Sequence, residues 1–213
     1  MNTLELHFDI WDIGAEFINS PHHHFSTAES AVIRAFVEER WQADIIANSI
    51  SVRWVNYQPY RSAKEMRAAL QATGELLIST IGNIKDGDPH PLTPSQNLKH
   101  RANHDFHHCL LGAGFSVPGE LTASAYMLKQ ARDAGYPAFV RQFLLSDMVG
   151  QVSHYYATWG EYAGQKVVLM TPELADELVC LYEKLGAAGM IAYITPFDKA
   201  ARERHGWQTQ SAH

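Results

Sequence analysis

The densest group of possible metal ligands in this sequence lies at residues 104–120, which read HDFHHCLLGAGFSVPGE. His104 and His108 are four residues apart, so on a helix they lie one turn apart on the same face. Asp105 would lie within about 100° of His104 on that helix. The glycine-containing interval that follows could reverse the chain and bring Glu120 back to the same point. Imidazole and carboxylate groups bind zinc and other borderline divalent ions, so the spacing allows a metal site divided between two helices.

The same histidine spacing also has an ordinary explanation. The chain contains 12 histidines among 213 residues, so a pair at i,i+4 spacing is expected by chance. His100 and His104 form one such pair, and His104 and His108 form another. From spacing alone, histidines that line the surface or the core are the more common outcome, and a metal site is the alternative.

The complete string is much more specific than a histidine pair. It resembles the signature HDxxH-x11-E of the Coq-four family of ubiquinone (coenzyme Q) biosynthesis proteins. Leu110-Leu111-Gly112 follows the second histidine as LLG does in the family, and Gly119 precedes the glutamate as in its GE pair. Arg101 matches an arginine that commonly precedes the motif. The close resemblance covers about residues 100–121, and RSAKEMRAAL at 61–70 and Trp207 resemble family segments more loosely.

The resemblance implies a divalent metal site and a bound polyprenyl chain. Carried over by position, the metal ligands are His104, Asp105, His108 and Glu120, with zinc expected and magnesium or iron as alternatives. Arg101 becomes a candidate partner for a carboxylate or a phosphate. The implied activity is loss of the ring carboxylate at C1 of a prenylated aromatic acid, with hydroxylation at the same carbon. The catalytic residues themselves stay unidentified.

Two neighbours of the motif leave alternatives open. His107 stands where the family often has an apolar residue, and it could be a supporting donor or an alternative ligand. A partly exposed helix histidine is the more common outcome. Cys109 would suit zinc, but it points about 100° further round the helix than His108, which favours a buried packing residue.

An apolar wall could lie beside the metal. Residues 139–149 leave little polar face on their helix, and such a helix is either buried centrally or lines an apolar cavity. A helix buried in an ordinary hydrophobic core, without a cavity, is the more common explanation of this pattern. A prenyl-binding protein also needs an apolar slot that ends near the metal. We predict that this slot is lined by Tyr126, Met127, Phe143 and Leu144.

The elements that must position these residues are predicted to be helices. Capping patterns open three of them, at residues 26–29, 62–65 and 93–96, and the second should run to Gly82. The positions of prolines, glycines and apolar residues predict four more helices, over 120–135, 137–152, 172–186 and 196–206. Only residues 166–170 and 4–10 resemble short strands. We therefore predict one compact all-α domain over residues 1–213 with an apolar lipid-binding cavity, and with residues 1–25 as a loosely attached N-terminal segment.

Composition limits the class of protein. Hydrophobic residues make up 46% of the chain, which is enough for a substantial core. The formal net charge is −6 and Lys and Arg form no long run, which argues against a nucleic-acid partner. The two cysteines, Cys109 and Cys180, lie far apart and lack a CxxC spacing. A disulfide framework is therefore not expected, and we predict a reducing compartment. With neither a targeting segment nor about twenty consecutive apolar residues, we predict a bacterial cytoplasmic protein that is peripheral to the membrane.

Three hypotheses follow from these observations. The leading one is a metal-dependent enzyme of quinone biosynthesis, a lyase acting as a homodimer, in contact with other enzymes of the pathway. The alternative is a non-catalytic scaffold that binds prenyl lipid for a quinone-synthesis complex. The third is a helical protein with a structural metal. Catalytic metal sites keep a coordination position open whereas structural sites are closed, so the number of protein ligands separates the third hypothesis from the others.

Overall fold

Helices form most of this protein in the computed structural model, which describes residues 9–161 and 164–207. The mostly-α fold class predicted from the sequence is confirmed. Two π-helical segments, Trp41–Ile46 and Leu145–Gly150, directly continue the α-helices that end at Arg40 and Leu144. The α-helices are α1 (Ile10–Asn19), α2 (Thr27–Arg40), α3 (Ala63–Thr73), α4 (Pro94–Leu111), α5 (Val117–Asp133), α6 (Ala138–Leu144), α7 (Gln151–Ala157) and α8 (Pro172–Arg204).

Helix α4, which carries the histidines, begins where the capping pattern predicts. The Thr93 hydroxyl accepts a hydrogen bond from the Gln96 backbone N–H at 3.3 Å, and the Gln96 side chain accepts the Thr93 backbone N–H at 3.1 Å. This reciprocal pair satisfies two of the donors that a helix start leaves free. Gly112 ends the helix in the left-handed conformation, with φ 71. The motif histidines therefore lie in the last turns of α4.

Two short strands were not predicted. Strands β1 (Ser51–Val55) and β2 (Glu75–Ser79) pair in parallel, with Ser51 opposite Glu75 and α3 as the connection between them. The helix predicted to run to Gly82 ends at Thr73, because Gly74 takes a left-handed conformation with φ 68 and caps it. The strand predicted at 166–170 is wrong, since these residues form no regular element. Most of the strand predicted at 4–10 lies outside the described residues.

The hydrophobic core has two parts. The main part lies between α1, α2, α5, α6, α8 and the second π-helical segment, and its largest fully buried side chains include Phe17, Phe36, Met127, Leu128, Phe143 and Leu144. The smaller part lies under the sheet and includes Ile45, Met66, Leu76, Ile78 and Phe106. Helix α4 contributes Ala102, Phe106 and Cys109 to the smaller part and packs against α5. Its position between elements of both parts holds the motif in place.

The start of the described chain is an integral part of the core. We predicted a loosely attached segment over residues 1–25, but Ile10, Trp11 and Phe17 of α1 are buried. Helix α1 also packs so closely on α7 that a Cβ added at Gly14 would lie 2.4 Å from the Ser153 carbonyl oxygen. Removal of α1 would therefore expose core residues.

Helix α8 is long and apolar enough to cross a membrane by length and composition alone, and 28% of its most apolar window is buried within the described protein. Core helices of soluble proteins also meet this criterion of length and composition, but they are mostly buried. The backbone of α8 breaks at Gly186 (φ 64, ψ 177), where the sequence predicted a helix end. Pro196 lies inside the second piece rather than opening a new helix, which corrects the predicted start at 196.

Candidate metal centre

Three of the four predicted metal ligands come together in the structure. His104 and His108 of α4 and Glu120 of α5 each offer one ligand atom, and these three atoms all lie within 4.8 Å of one another. Glu120 Oε2 is 3.4 Å from His104 Nε2 and 3.2 Å from His108 Nε2. Among residues 9–161 and 164–207 this is the one group of its kind. The structure thus contains a possible metal-binding triad, divided between two helices as the spacing predicts.

Asp105, the fourth predicted ligand, lies outside this triad. Its Oδ1 is 3.8 Å from His104 Nδ1, the ring nitrogen that does not face Glu120. A carboxylate in this place attracts the proton to Nδ1 and leaves the Nε2 lone pair free for a metal. Asp105 therefore orients and polarises His104 from the Nδ1 side of the ring, opposite Glu120.

The loop between α4 and α5 orients His108 in the same way. His108 Nδ1 is 3.3 Å from the Ala113 carbonyl oxygen, to which it can only donate, so the lone pair of the neutral ring lies on Nε2. The His108 ring is completely buried. It packs against the Phe115 ring in a T-shaped arrangement, with 5.2 Å between the ring centroids. Both imidazoles thus present Nε2 to Glu120.

The residue before Glu120 must be a glycine because the backbone approaches it closely. A Cβ added at Gly119 would lie 2.0 Å from the Gly114 carbonyl oxygen, so the loop and the first turn of α5 can approach only without a side chain here. Glu120 is then held in the first turn of α5, where the helix dipole favours a carboxylate.

The charges of the triad support one another in the absence of metal. Burial by itself would lower the pKa of His104, but the nearby carboxylates of Asp105 and Glu120 raise it to about 10. Burial would raise the pKa of Glu120, yet His108 and His104 hold it well below its usual range. Because a divalent ion must displace the proton of His104, metal binding should release protons and weaken as the pH falls.

His107 is completely buried, whereas a partly exposed position was the more common expectation. Its Nε2 lies 3.0 Å from Oδ2 of Asp44 in the first π-helical segment, so its carboxylate partner is Asp44 and not Glu120. The Tyr126 ring packs edge-on against it at 4.9 Å between centroids. Burial lowers the pKa of His107 more than Asp44 raises it.

A further carboxylate, the mostly buried Asp147, lies between two histidines that are outside the triad. His100 Nε2 is 3.0 Å from Asp147 Oδ2, and His90 Nε2 is 3.8 Å from Asp147 Oδ1. Asp147 belongs to the second π-helical segment, so each π-helical segment supplies one aspartate to a histidine of α4. Such segments are frequent at functional sites. Nothing in the sequence distinguished Asp44 or Asp147 from surface acids.

Asp147 should make the stability of the protein depend on acidity. Burial would raise its pKa, but His100 and His90 hold it well below the usual range. A group whose folded-state pKa is lowered stabilises the fold fully above its unfolded pKa of about 4, and this contribution is lost as the pH falls further. We expect the free energy of unfolding to fall more steeply below about pH 4 in wild type than in Asp147→Asn. Urea unfolding between pH 3 and pH 7 measures both slopes, and equal slopes would contradict the assignment.

Arg101 has main-chain partners in the structure. Its Nη1 donates to the carbonyl oxygens of Ser79 at 3.2 Å and Ile81 at 2.9 Å, and its Nη2 donates to that of Gly82 at 3.0 Å. Burial lowers its pKa. The arginine for which the resemblance implied an anionic partner therefore holds the segment after β2 against α4.

The predicted lipid wall lies in the core. Met127, Phe143 and Leu144 are completely buried in the main core, and Tyr126 is half-buried between His107 and Tyr182. A cavity of about 330 Å³ lies elsewhere, between the start of α1, the start of α5 and the second piece of α8. Its apolar lining includes Ile10, Val117, Leu121, Ile194 and Phe197, and its polar lining is Asp9, Asp12, Asp198 and Arg204.

Comparison of the chain with models of known protein families, with curated proteins and with solved structures found no match. The family resemblance therefore depends on the motif and its neighbours. The geometry independently supports a possible metal-binding triad within a mostly-α domain.

Proposed function

We propose that this protein takes part in quinone biosynthesis, with a divalent metal and a polyprenyl lipid bound, and acts on the ring carboxylate at C1 of a prenylated aromatic precursor. The observation that carries the proposal is the convergence of His104, His108 and Glu120 at the positions of the motif. Similarity to the family motif supplies the class of substrate.

The donor set suits a borderline divalent ion. Two imidazole nitrogens and one carboxylate oxygen match the His₂Glu set of catalytic zinc sites and the facial triad of non-haem Fe(II) sites. Magnesium prefers oxygen ligands and fits less well. Three protein ligands leave coordination positions open, which favours a catalytic role over a structural one. When bound, the metal would supply a Lewis acid that stabilises negative charge on a carboxylate or phenolate.

The cavity offers a new candidate for the prenyl slot. Val117 and Leu121 line it, so the cavity adjoins the first turns of α5, the helix that carries Glu120. Each buried CH₂ group of a prenyl chain contributes about 0.8 kcal/mol. We propose that the tail lies in this cavity, and that the protein works as a homodimer at a membrane surface.

Filling the cavity should weaken prenyl binding without affecting the metal. Ala201 is buried and lines the cavity, so Ala201→Phe should lower the affinity for geranylgeranyl ligands by about tenfold or more. Ala192 is exposed on the same helix and is not among the lining residues, so Ala192→Phe is the matched control. Fluorescence titration with a labelled geranylgeranyl ligand measures the affinity. Equal affinities in the two variants would show that the chain binds elsewhere.

Turnover tests the proposed activity directly. Purified protein loaded with zinc or Fe(II) should release the carboxylate of a prenylated 4-hydroxybenzoate as CO₂, with a proton from water taking its place at C1, and a Glu120→Gln variant should not. Binding of the substrate without turnover under both metals would favour the scaffold instead.

Two further measurements test the assembly and the membrane contact. Light scattering at the monomer mass would contradict the proposed homodimer. Failure of the protein to sediment with liposomes would contradict its proposed location at a membrane surface.

A further inference from the structure

Arg67 on α3 is a half-buried arginine for which the described residues supply no partner. Its Nε is buried without a hydrogen bond, and its guanidinium forms no ion pair within residues 9–161 and 164–207. Arg40 and Arg141 also have a buried Nε without a partner, but their Nη2 atoms lie 2.9 Å from Glu39 and 3.6 Å from Asp176. Arg67 therefore differs from the other half-buried arginines.

The guanidinium of Arg67 lies beside the end of α4. Its Nη1 and Nη2 are 3.5 and 3.6 Å from the position that a Cβ of Gly112 would occupy. Gly112 donates its backbone N–H to the His108 carbonyl oxygen, so this cation is about one helical turn from a triad residue.

A half-buried guanidinium without a partner is unusual in a folded protein. Arginine stays protonated at all physiological pH values, and removing its Nε–H donor from water without a replacement partner costs free energy. Its planar donors match the two oxygens of a carboxylate or a phosphate. Arg101, by contrast, already donates to three carbonyl oxygens.

We propose that Arg67 binds an oxyanion, a carboxylate or phosphate group, of the ligand that occupies the metal centre. The inference rests on the proposed function in one respect, namely that a ligand is held at the His104–His108–Glu120 triad. It assigns the anion to Arg67 and leaves Arg101 with a structural role.

The experiment compares binding of three probes to zinc-loaded wild type, Arg67→Gln, Arg67→Lys and Arg61→Gln. Arg61 is exposed in the same segment and its side chain forms no ion pair in the described residues, so it is the matched control. The probes are 4-hydroxybenzoate, its neutral analogue 4-hydroxybenzamide, and inorganic phosphate, each measured by calorimetry. Zinc content and thermal stability are measured for every variant.

We expect Arg67→Gln to bind the oxyanion at least about tenfold more weakly, with unchanged zinc content and unchanged affinity for the amide. Arg67→Lys should lie between, because lysine keeps the charge but cannot donate in a planar pair. Preference for benzoate or for phosphate identifies which oxyanion the site takes. Equal oxyanion affinity in Arg67→Gln and Arg61→Gln, or no oxyanion binding by wild type, would overturn the inference. Arg67-dependent binding without turnover of prenylated substrate would instead contradict the proposed activity and leave the anion site standing.

Discussion

Protein in which His108 is replaced by alanine should retain less than about one-tenth of the divalent metal that wild type binds at equilibrium. His108 provides one of three ligand atoms, and its ring is completely buried, so no other side chain of the described residues replaces it without rearrangement. Elemental analysis after dialysis against a fixed concentration of free zinc measures the metal content. Equal metal content in wild type and His108→Ala would remove the basis of the proposed function.

Two variants on the same helix serve as controls for His108→Ala. His107→Gln should keep its metal, since His107 faces Asp44 rather than Glu120. Asp105→Asn should also keep a full equivalent at saturating zinc, but with an affinity lower by about 10- to 100-fold, as is typical of groups that orient a ligand. Complete loss of metal in Asp105→Asn would instead make Asp105 a direct ligand, as the family resemblance implies. Circular dichroism confirms that each variant is folded.

Gly119→Ala should be the most disruptive single-methyl change near the site. The added Cβ would lie 2.0 Å from the Gly114 carbonyl oxygen and 2.7 Å from its nitrogen, and both are backbone atoms that cannot turn aside. Either the loop or the first turn of α5 must move, which would displace Glu120. We expect a loss of about 3 kcal/mol or more in the free energy of unfolding, together with weakened metal binding.

Gly114→Ala is the matched control for this prediction. A Cβ at Gly114 would meet only Ser116, at 3.9 Å or more, which is ordinary contact. We expect its unfolding free energy to lie within about 1 kcal/mol of wild type. Urea unfolding of the two variants measures the difference. If Gly119→Ala were as stable as Gly114→Ala and kept its metal, the close approach that positions Glu120 would be wrong.

The sequence by itself determined the elements that depend on neighbouring residues. The cap at Thr93 and Gln96 marks the start of α4, and Gly112 marks its end. The i,i+4 spacing then places His104 and His108 on one face, and the glycine before Glu120 permits the return of the chain. These features could be predicted because helix caps, helical periodicity and glycine conformations are local properties of the chain.

Only the tertiary structure decided which distant groups meet. Asp105 is next to His104 in sequence, yet the approach of α5 makes Glu120 the third member of the triad and leaves Asp105 behind the ring. Strand β2 was predicted as helix because its short apolar run fits both periods, and pairing with β1 is what selects the strand. Asp147 is a partner of His100 because the packing of the second π-helical segment against α4 brings the two side chains within 3.0 Å. Such contacts join residues far apart in the chain, where local propensity carries no information about which side chain arrives opposite.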